Sequence, residues 1–305
     1  MRKSLFGLRQ APKFWYELFA ISLKKLGFRR AQTNDSLFIS TGKGPQVYLL
    51  VYVDDILVFR DWASVQCVKK RRSSLFSTTG LGTCTHFVGM KIERRPAGLF
   101  LSQRPFAEKI VDLAGMTNAK PTHAPLPLSH SLYDENKTPT EKYLKAMRDI
   151  PYREVLGSLL FLATRTFSDI STAVPGLGKY QQYPMIEHWK SMEPVIRYLF
   201  GTIDYGFLLP SGEEALREAS FDADWVREHH KRSSGSGYLI ILAGGTVVLA
   251  SRLQTLTAQS FTEAEFISFA HCVREIHWIP ATLGELNFYQ ATPTIVHQGN
   301  LGAIC

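Results

Sequence analysis

The sequence has few cysteines and no long apolar run. Its four cysteines include no C-x-x-C pair, so neither a zinc ribbon nor a disulfide framework is predicted, and a reducing compartment fits. No stretch of about 18 or more apolar residues occurs, and Met1-Arg2-Lys3-Ser4 does not lead into a signal-peptide core. We therefore expect an intracellular protein, in the cytoplasm or nucleus, without a signal peptide, a transmembrane segment or a membrane partner.

Acidic residues are scarce in the first third of the chain. Residues 1–110 contain 19 Lys or Arg and 7 Asp or Glu, a net charge of +12, whereas residues 111–305 carry −4. Basic clusters attract a nucleic-acid phosphate backbone through counterion release, and a solvated basic face is the alternative interpretation. The candidate phosphate contacts are Lys24, Lys25, Arg29, Arg30, Lys69, Lys70, Arg71 and Arg72.

Length and composition predict more than one domain. With 305 residues and 45% hydrophobic content, the chain is long enough for about two hydrophobic cores. Residues 118–151 contain five prolines and few periodic apolar residues, which is typical of a linker. The predicted division is an α+β region at 1–117, a Pro-rich linker at 118–151, a helical region at 152–210 and a last region at 211–305.

Local patterns predict the elements of the first and last regions. Lys13–Leu26 reads as an amphipathic helix whose apolar stripe contains Trp15, Leu18, Phe19, Ser22 and Leu26. In the last region the predicted order is strand, strand, strand, helix, strand. These elements are 219–225, 237–242, 246–251, a helix from Ser260 to about Leu283, and 294–297.

The stretch Tyr52-Val53-Asp54-Asp55 lies between two apolar runs and predicts a hairpin whose tip carries adjacent carboxylates. Neighbouring carboxylates repel one another, and a divalent cation relieves the repulsion. Asp oxygens suit Mg²⁺, so the tip is a candidate for two-metal phosphoryl transfer. Because Asp is also a favoured turn residue, the alternative is an ordinary solvated turn.

Several motifs occur in a characteristic order along nearly the whole chain. They are Lys3-Ser4-Leu5-Phe6-Gly7-Leu8-Arg9-Gln10-Ala11-Pro12, Tyr52-Val53-Asp54-Asp55, Phe87-Val88-Gly89-Met90, Gly98-Leu99-Phe100-Leu101-Ser102-Gln103, His188-Trp189, Asp222-Ala223-Asp224-Trp225 and Glu263-Ala264-Glu265-Phe266. In these motifs the sequence resembles the C-terminal part of the Pol polyprotein of copia-type LTR retrotransposons. That part holds the later reverse transcriptase motifs, a connection and most of an RNase H domain.

The resemblance implies an α+β fold with a partial reverse transcriptase palm and thumb-like region, followed by a truncated RNase H-like α/β domain. It implies that Asp54 and Asp55 are two of three palm carboxylates, which bind two Mg²⁺ ions and act on an RNA or DNA template-primer. In the family the remaining carboxylate lies upstream of the Ser-Leu-Phe-Gly-Leu motif. We therefore expect this chain to be catalytically incompetent as a polymerase alone.

For the RNase H-like region, the resemblance implies that Asp222 and Glu265 are the first and second metal-binding carboxylates, acting on an RNA:DNA hybrid. The family's third carboxylate falls at Gly299, which supplies no ligand, and the fourth would lie beyond Cys305. Two acids do not hold two Mg²⁺ ions in the geometry that hydrolysis requires. We therefore expect no RNase H activity either.

Two other interpretations remain open at this point. The basic first third also suits a non-catalytic nucleic-acid-binding module, whose binding would weaken steeply with salt. Replaced family residues, such as Leu249 at a position where the family has Trp, also suit a genomic relic without function. Asp224, two residues after Asp222 on the same predicted strand face, is a conceivable additional metal ligand.

Overall fold

The computed structural model describes residues 8–42, 44–53, 55–73, 79–125, 141–212, 216–228, 233–289 and 292–300. The helices in these ranges are α1 (Ala11–Lys25), α2 (Trp62–Ser73), α3 (Arg104–Leu113), α4 (Glu141–Ala146), α5 (Tyr152–Ala163), α6 (Val174–Gly178), α7 (Ile186–Gly201) and α8 (Phe261–Glu285). The strands are β1 (Phe28–Arg30), β2 (Leu37–Ser40), β3 (Tyr48–Tyr52), β4 (Asp55–Phe59), β5 (His86–Phe87), β6 (Met90–Arg95), β7 (Gly98–Ser102), β8 (Gly206–Pro210), β9 (Arg217–Glu228), β10 (Ser233–Leu242), β11 (Gly245–Leu253) and β12 (Ile295–His297).

The chain forms two compact units. The first unit contains Met1–Val88 together with Ile276–Thr292, and the second contains Gly89–Glu275 together with Pro293–Cys305. Both units contain helices and strands in separate runs, and the strands are paired mostly antiparallel, so the chain has the predicted α+β class. The predicted four-part division of the chain stays a prediction, and residues 126–140 of the predicted linker lie outside the described residues.

The first unit is built on an antiparallel sheet in the order β1-β2-β3-β4. Alternate residues of its strands face α1, as the period of two in a strand requires. The resulting core contains Phe19, Leu23, Phe28, Phe38, Val47, Leu49 and Val51. The predicted hairpin is confirmed, because β3 and β4 pair along their length and Tyr52 faces Asp55 across the turn.

The helix α1 forms where the sequence predicts it, and the predicted buried stripe was partly wrong. Phe19 and Leu23 are buried, whereas Leu18, which the stripe included, is 61% exposed. Phe19 packs edge-on against Phe38 with ring centroids 6.5 Å apart. Burial on this helix is thus decided by the position of an aromatic ring on β2, which the helix's own periodicity does not report.

The second unit has a helical core between α3, α5, α6 and α7. Its fully buried side chains include Tyr152, Leu159, Ile170, Met192 and Leu199. Strand β7 pairs antiparallel with β6 and with β8. Gly98 at the start of β7 has φ 143°, and a Cβ there would lie 2.1 Å from the carbonyl oxygen of Leu209, so the close approach of β8 requires glycine at this position.

The second unit also contains a sheet in the order β11-β10-β9-β12. The pairs β9–β10 and β10–β11 are antiparallel, and β12 pairs parallel to β9 after the long helix α8. The order strand, strand, strand, helix, strand predicted for residues 219–297 is confirmed. A parallel pair requires a crossover connection, and α8 lies within it. Within the described ranges, no helix is long and apolar enough to cross a lipid bilayer.

Candidate carboxylate sites

The first candidate site is the tip of the β3–β4 hairpin. Asp55 is the first residue of β4 and is exposed, and Tyr52 and Val53 are 49% and 64% exposed. Asp54, its predicted partner, lies outside the described residues. In the described part of the chain, no three His, Cys, Asp or Glu side chains gather into a group that could hold a metal ion. The geometry of the Asp54 and Asp55 pair therefore stays a prediction.

The backbone at this tip has an unusual conformation. Val53 has φ 49°, in the left-handed region, which costs a residue with a Cβ about 1–2 kcal/mol. β-Branched residues are especially rare there. Backbone strain of this kind concentrates at functional sites, where the surrounding structure enforces it. Asp55, two residues after Val53, is exposed to solvent.

The second candidate site lies where α8 crosses β9. Asp222 is exposed between the buried residues Phe221 and Ala223, and Asp224, two residues further on, shares its face of the strand. Glu265, on α8, is only 2% exposed. The structure brings together Asp222 and Glu265, the two carboxylates predicted for this region, although they lie 43 positions apart in the sequence.

Small residues allow α8 to lie directly on the sheet. Ala223 of β9 and Ala264 of α8 are both buried in one apolar cluster. The Ser268 hydroxyl, which is fully buried, donates to the carbonyl oxygens of Asp222 at 2.7 Å and Gly237 at 3.2 Å. Because a buried hydroxyl needs a partner, this contact fixes the height of the helix over the strand. Glu265 consequently reaches the edge of β9.

The electrostatics of Glu265 differ from those of a surface glutamate. Burial raises the pKa of its carboxyl above the ordinary value, and the nearby carboxylate of Asp222 raises it further. Two hydrogen bonds oppose these effects, one from the side-chain amide of Gln298 and one from the backbone N–H of Ala223. The Gln298 Nε2 lies 3.4 Å from Glu265 Oε2. A carboxylate pair of this kind favours an added proton or cation.

Gly299 follows Gln298 just after β12. A Cβ built on Gly299 meets no atom within 4 Å, and its φ lies outside the left-handed region. A larger residue therefore fits at position 299 without strain or collision. The position that the resemblance assigns to a third carboxylate adjoins Gln298, which is itself hydrogen-bonded to Glu265. Whether position 299 supplies a ligand is thus a matter of residue type.

The predicted phosphate contacts have varied surroundings. Lys24, Lys25 and Lys70 are exposed, and the Lys69 Nζ lies 5.5 Å from the ring centre of Trp62. Arg29 and Arg30 are in ion pairs, with Glu285 at 2.8 Å and Asp35 at 3.5 Å. The side chains of Arg71 and Arg72 lie outside what the structure describes.

Sequence reasoning missed three residues that shape these sites. Ser268 and Gln298 carry no local signal, because their partners lie on other elements. Glu285 did carry one, since it is the last residue of α8, and an acid at a helix C-terminus interacts unfavourably with the helix dipole. An acid in that position requires donors from elsewhere in the chain.

Comparison with known proteins identifies the family of the chain. Residues 1–127 match the family of reverse transcriptases, RNA-dependent DNA polymerases. The chain is 34% identical to the retrovirus-related Pol polyprotein from transposon RE2 of Arabidopsis thaliana, over 99% of this chain and 20% of that protein. It is 32% identical to the corresponding polyprotein from transposon TNT 1-94 of Nicotiana tabacum, over 95% of this chain and 22% of that protein.

A shorter relative matches over most of its own length. The chain is 33% identical to a transposon Ty5-1 protein of Saccharomyces cerevisiae, over 89% of this chain and 87% of that protein. The chain belongs to the reverse transcriptase family of copia-type retrotransposon Pol polyproteins. It spans about a fifth of the length of the Arabidopsis and tobacco relatives.

Proposed function

We propose that this chain forms the metal-binding hairpin of an RNA-directed DNA polymerase, followed by an RNase H-like domain at residues 211–305. In this proposal residues 1–117 are the palm and thumb-like part, and residues 118–151 and 152–210 are the linker and connection. Asp54 and Asp55 would hold Mg²⁺ against a template-primer, and the strained, solvent-directed turn at Val53 supports this role. The ordered motifs and the family match carry the polymerase part.

We expect an isolated polypeptide of residues 1–305 to be incompetent as a polymerase, because the resemblance assigns only two palm carboxylates to it. The test is primer extension on a poly(A) template with oligo(dT) and Mg²⁺. No extension is expected from the purified chain. Extension that is abolished by Asp55→Asn would contradict the proposal, because it would show a complete site.

The RNase H-like assignment is supported by sheet order and by one carboxylate pair. The sheet order β11-β10-β9-β12, with α8 before the parallel strand, brings Asp222 and Glu265 together. Carboxylate oxygens are the ligands that Mg²⁺ prefers, and the raised pKa of Glu265 indicates a place where a cation would relieve repulsion. The two acids fit one Mg²⁺ ion, which when bound would activate water and neutralise charge on a phosphoryl group.

The observation that carries this proposal is the closeness of Asp222 and Glu265, to which Gln298, the neighbour of Gly299, is hydrogen-bonded. We infer that the glycine removes one of the ligands that the resemblance assigns to this site, so that RNase H cleavage is absent. The variant Gly299→Asp should bind Mg²⁺ about tenfold more tightly than the parent, which corresponds to about 1.4 kcal/mol. Isothermal titration calorimetry with Mg²⁺ measures this change.

Two further variants make the Mg²⁺ experiment specific. Gly299→Asn has nearly the same size without the charge and should bind Mg²⁺ as the parent does. Adding Asp222→Asn to Gly299→Asp should remove the gain, because both carboxylates are needed. Equal affinities of the Asp and Asn variants would contradict the proposed site. Cleavage of an RNA:DNA hybrid by the parent, lost on Asp222→Asn, would contradict its proposed inactivity.

A non-catalytic role in nucleic-acid binding is a second candidate, favoured by the net charge of +12 in residues 1–110. Binding to an RNA:DNA hybrid should then weaken steeply as salt rises, because it depends on counterion release. It should survive the combined change of Asp54 and Asp55 to Asn, which removes the metal ligands. Hybrid binding that is absent, or independent of salt, would rule this role out.

A further inference from the structure

The acid at the end of α8 lies among hydrogen-bond donors from the start of the chain. Glu285 belongs to the segment Ile276–Thr292, which is part of the first unit. Its side chain is 15% exposed. Hydrogen bonds to its carboxylate lower its pKa in spite of burial, and the Arg29 guanidinium is the strongest donor. The folded chain therefore holds a charged carboxylate here, bound by donors from β1 and from the short loop that follows it.

Four groups of this loop donate to the one carboxylate. The Arg29 Nη1 donates at 2.8 Å, and the backbone N–H groups of Gln32 and Thr33 donate at 2.8 and 2.9 Å. The Thr33 hydroxyl donates at 3.0 Å. Consecutive backbone N–H groups that point at one anion form a nest, and nests of this kind bind phosphate as well as carboxylate. We refer to Arg29–Thr33 as the anion loop.

The anion loop is held in place by bonds that do not involve Glu285. The N–H of Ala31 donates to the Leu37 carbonyl at 2.8 Å, and Arg29 and Arg30 belong to β1, which pairs with β2. The side chain of Asn34 accepts the N–H of Ser36 at 2.9 Å. Because these contacts fix the backbone, the donors at Gln32 and Thr33 stay oriented when Glu285 is removed.

The segment that carries Glu285 also has anchors of its own. The Tyr48 hydroxyl donates to the Leu286 carbonyl at 2.8 Å, and the Asn287 side chain donates to Gln46 Oε1 at 2.8 Å. The Trp278 Nε1 donates to the Thr33 carbonyl at 3.0 Å. Replacing Glu285 with Ala should therefore empty the nest and leave both the loop and the segment folded.

The charge around the anion loop suits a polyanion better than a single internal carboxylate. Lys24, Lys25, Arg29 and Arg30 lie within seven consecutive positions, 24–30. Glu285 neutralises Arg29, and Asp35 lies 3.5 Å from Arg30. Both lysines stay exposed at the end of α1. A phosphate bound in the nest would add one contact to those that this run of basic residues offers a polyanion.

We propose that the anion loop is a binding site for a backbone phosphate of nucleic acid, and that Glu285 is an internal competitor for it. The identity of the ligand rests on the proposed function, whereas the anion site itself does not. In this arrangement Glu285, at the end of α8, occupies the phosphate site of the first unit and so blocks it. Phosphate and Glu285 exclude one another, because both require the same four donors.

The first test uses inorganic phosphate and the chain of residues 1–305. In ¹⁵N-labelled Glu285→Ala protein, phosphate should shift the amide resonances of Gln32 and Thr33 in a saturable manner. The parent and Glu17→Ala, which removes one exposed glutamate of the same unit, should show no saturable shift. Adding Thr33→Val to Glu285→Ala removes one donor and should weaken phosphate binding severalfold. Absence of any saturable shift in Glu285→Ala would overturn the site.

The second test uses a fluorescein-labelled oligo(dT) and fluorescence anisotropy. Glu285→Ala should bind it about tenfold more tightly than the parent, while Glu17→Ala should not, and the salt dependence should steepen by about one phosphate contact. Phosphate binding without a gain in oligo(dT) affinity would overturn nucleic acid as the ligand. Salt-dependent oligo(dT) binding that Glu285→Ala leaves unchanged would overturn the competition and leave the nucleic-acid-binding role standing.

Discussion

The hairpin tip and the strand–helix pair present carboxylates in opposite ways. At the tip, Asp55 is exposed at the start of β4, beside a turn in which Val53 has φ 49°. In the pair, Glu265 is buried and held by neighbours from β9 and from the residue after β12. Presenting a carboxylate therefore costs free energy as backbone strain at the tip, and as unfavourable electrostatics of a buried charge in the pair. Each type of cost predicts a different response to substitution.

The largest effect is expected from separating α8 from β9. Ala264 is fully buried against Ala223, so Ala264→Leu forces extra volume into a closed contact and should destabilise the chain by about 1–3 kcal/mol. Urea unfolding followed by tryptophan fluorescence measures this loss. Ala270→Leu adds the same volume at an exposed position of α8 and should be nearly neutral. Equal losses for the two variants would show that the close contact does not set the site.

A smaller effect is expected from Ser268→Ala. The change removes the hydroxyl that bridges Asp222 and Gly237, and losing a buried hydrogen bond of this kind costs about 1 kcal/mol. The pair should also become less ordered, so the pKa of Glu265 should move towards its ordinary value. Carboxyl ¹³C NMR titration reports that movement. An unchanged titration would indicate that Ala264 alone positions Glu265.

Glu265→Gln tests the electrostatic cost directly. Because the folded-state pKa of Glu265 is raised, the carboxyl favours folding below its unfolded pKa of about 4.5, and this contribution is lost as pH rises through the folded pKa. The Gln variant has no charge to bury, so it should match the parent at low pH and exceed its stability at neutral pH. Thermal unfolding across this range measures the difference.

The control for Glu265→Gln is Asp222→Asn. Asp222 raises the pKa of Glu265 less than burial does, so its neutralisation should stabilise the chain in the same direction by a smaller amount. If the parent became more stable relative to Glu265→Gln as pH rises above about 4.5, the electrostatic cost could not be assigned to the Glu265 carboxylate.

The corresponding change at the tip is Val53→Asn. Asn adopts the left-handed region more readily than a β-branched residue does, and Val53 is 64% exposed, so little packing is lost. The variant should be about 0.5–1 kcal/mol more stable than the parent. Val47→Asn, at a buried position just before β3, should be strongly destabilising. A loss of stability in Val53→Asn would show that the turn is not strained.

The two sites also differ in how far the sequence predicts them. Periodicity and turn residues predict the hairpin and the order of β9 to β12, because these signals are local. The sequence predicts only one of the two side-chain partners of Glu265. Asp222 lies in one of the motifs that carry the resemblance, whereas Gln298 lies in none of them. The hydrogen bonds of Glu285 join residues more than 250 positions apart, and no local pattern reports such a contact. The predicted buried stripe of α1 was partly wrong for the same reason, since Leu18 is exposed.

The smallest effect is expected from Asp55→Asn. Asp55 is exposed, and exposed substitutions of this kind change stability by about 0.5 kcal/mol or less. If Asp55→Asn hardly changes stability while Val53→Asn and Glu265→Gln increase it, the cost at the tip is backbone strain. The cost in the pair is then the burial of charge. A stability gain in Asp55→Asn that vanishes on adding Mg²⁺ would instead indicate charge repulsion at the tip. In that case the two sites would share one physical principle after all.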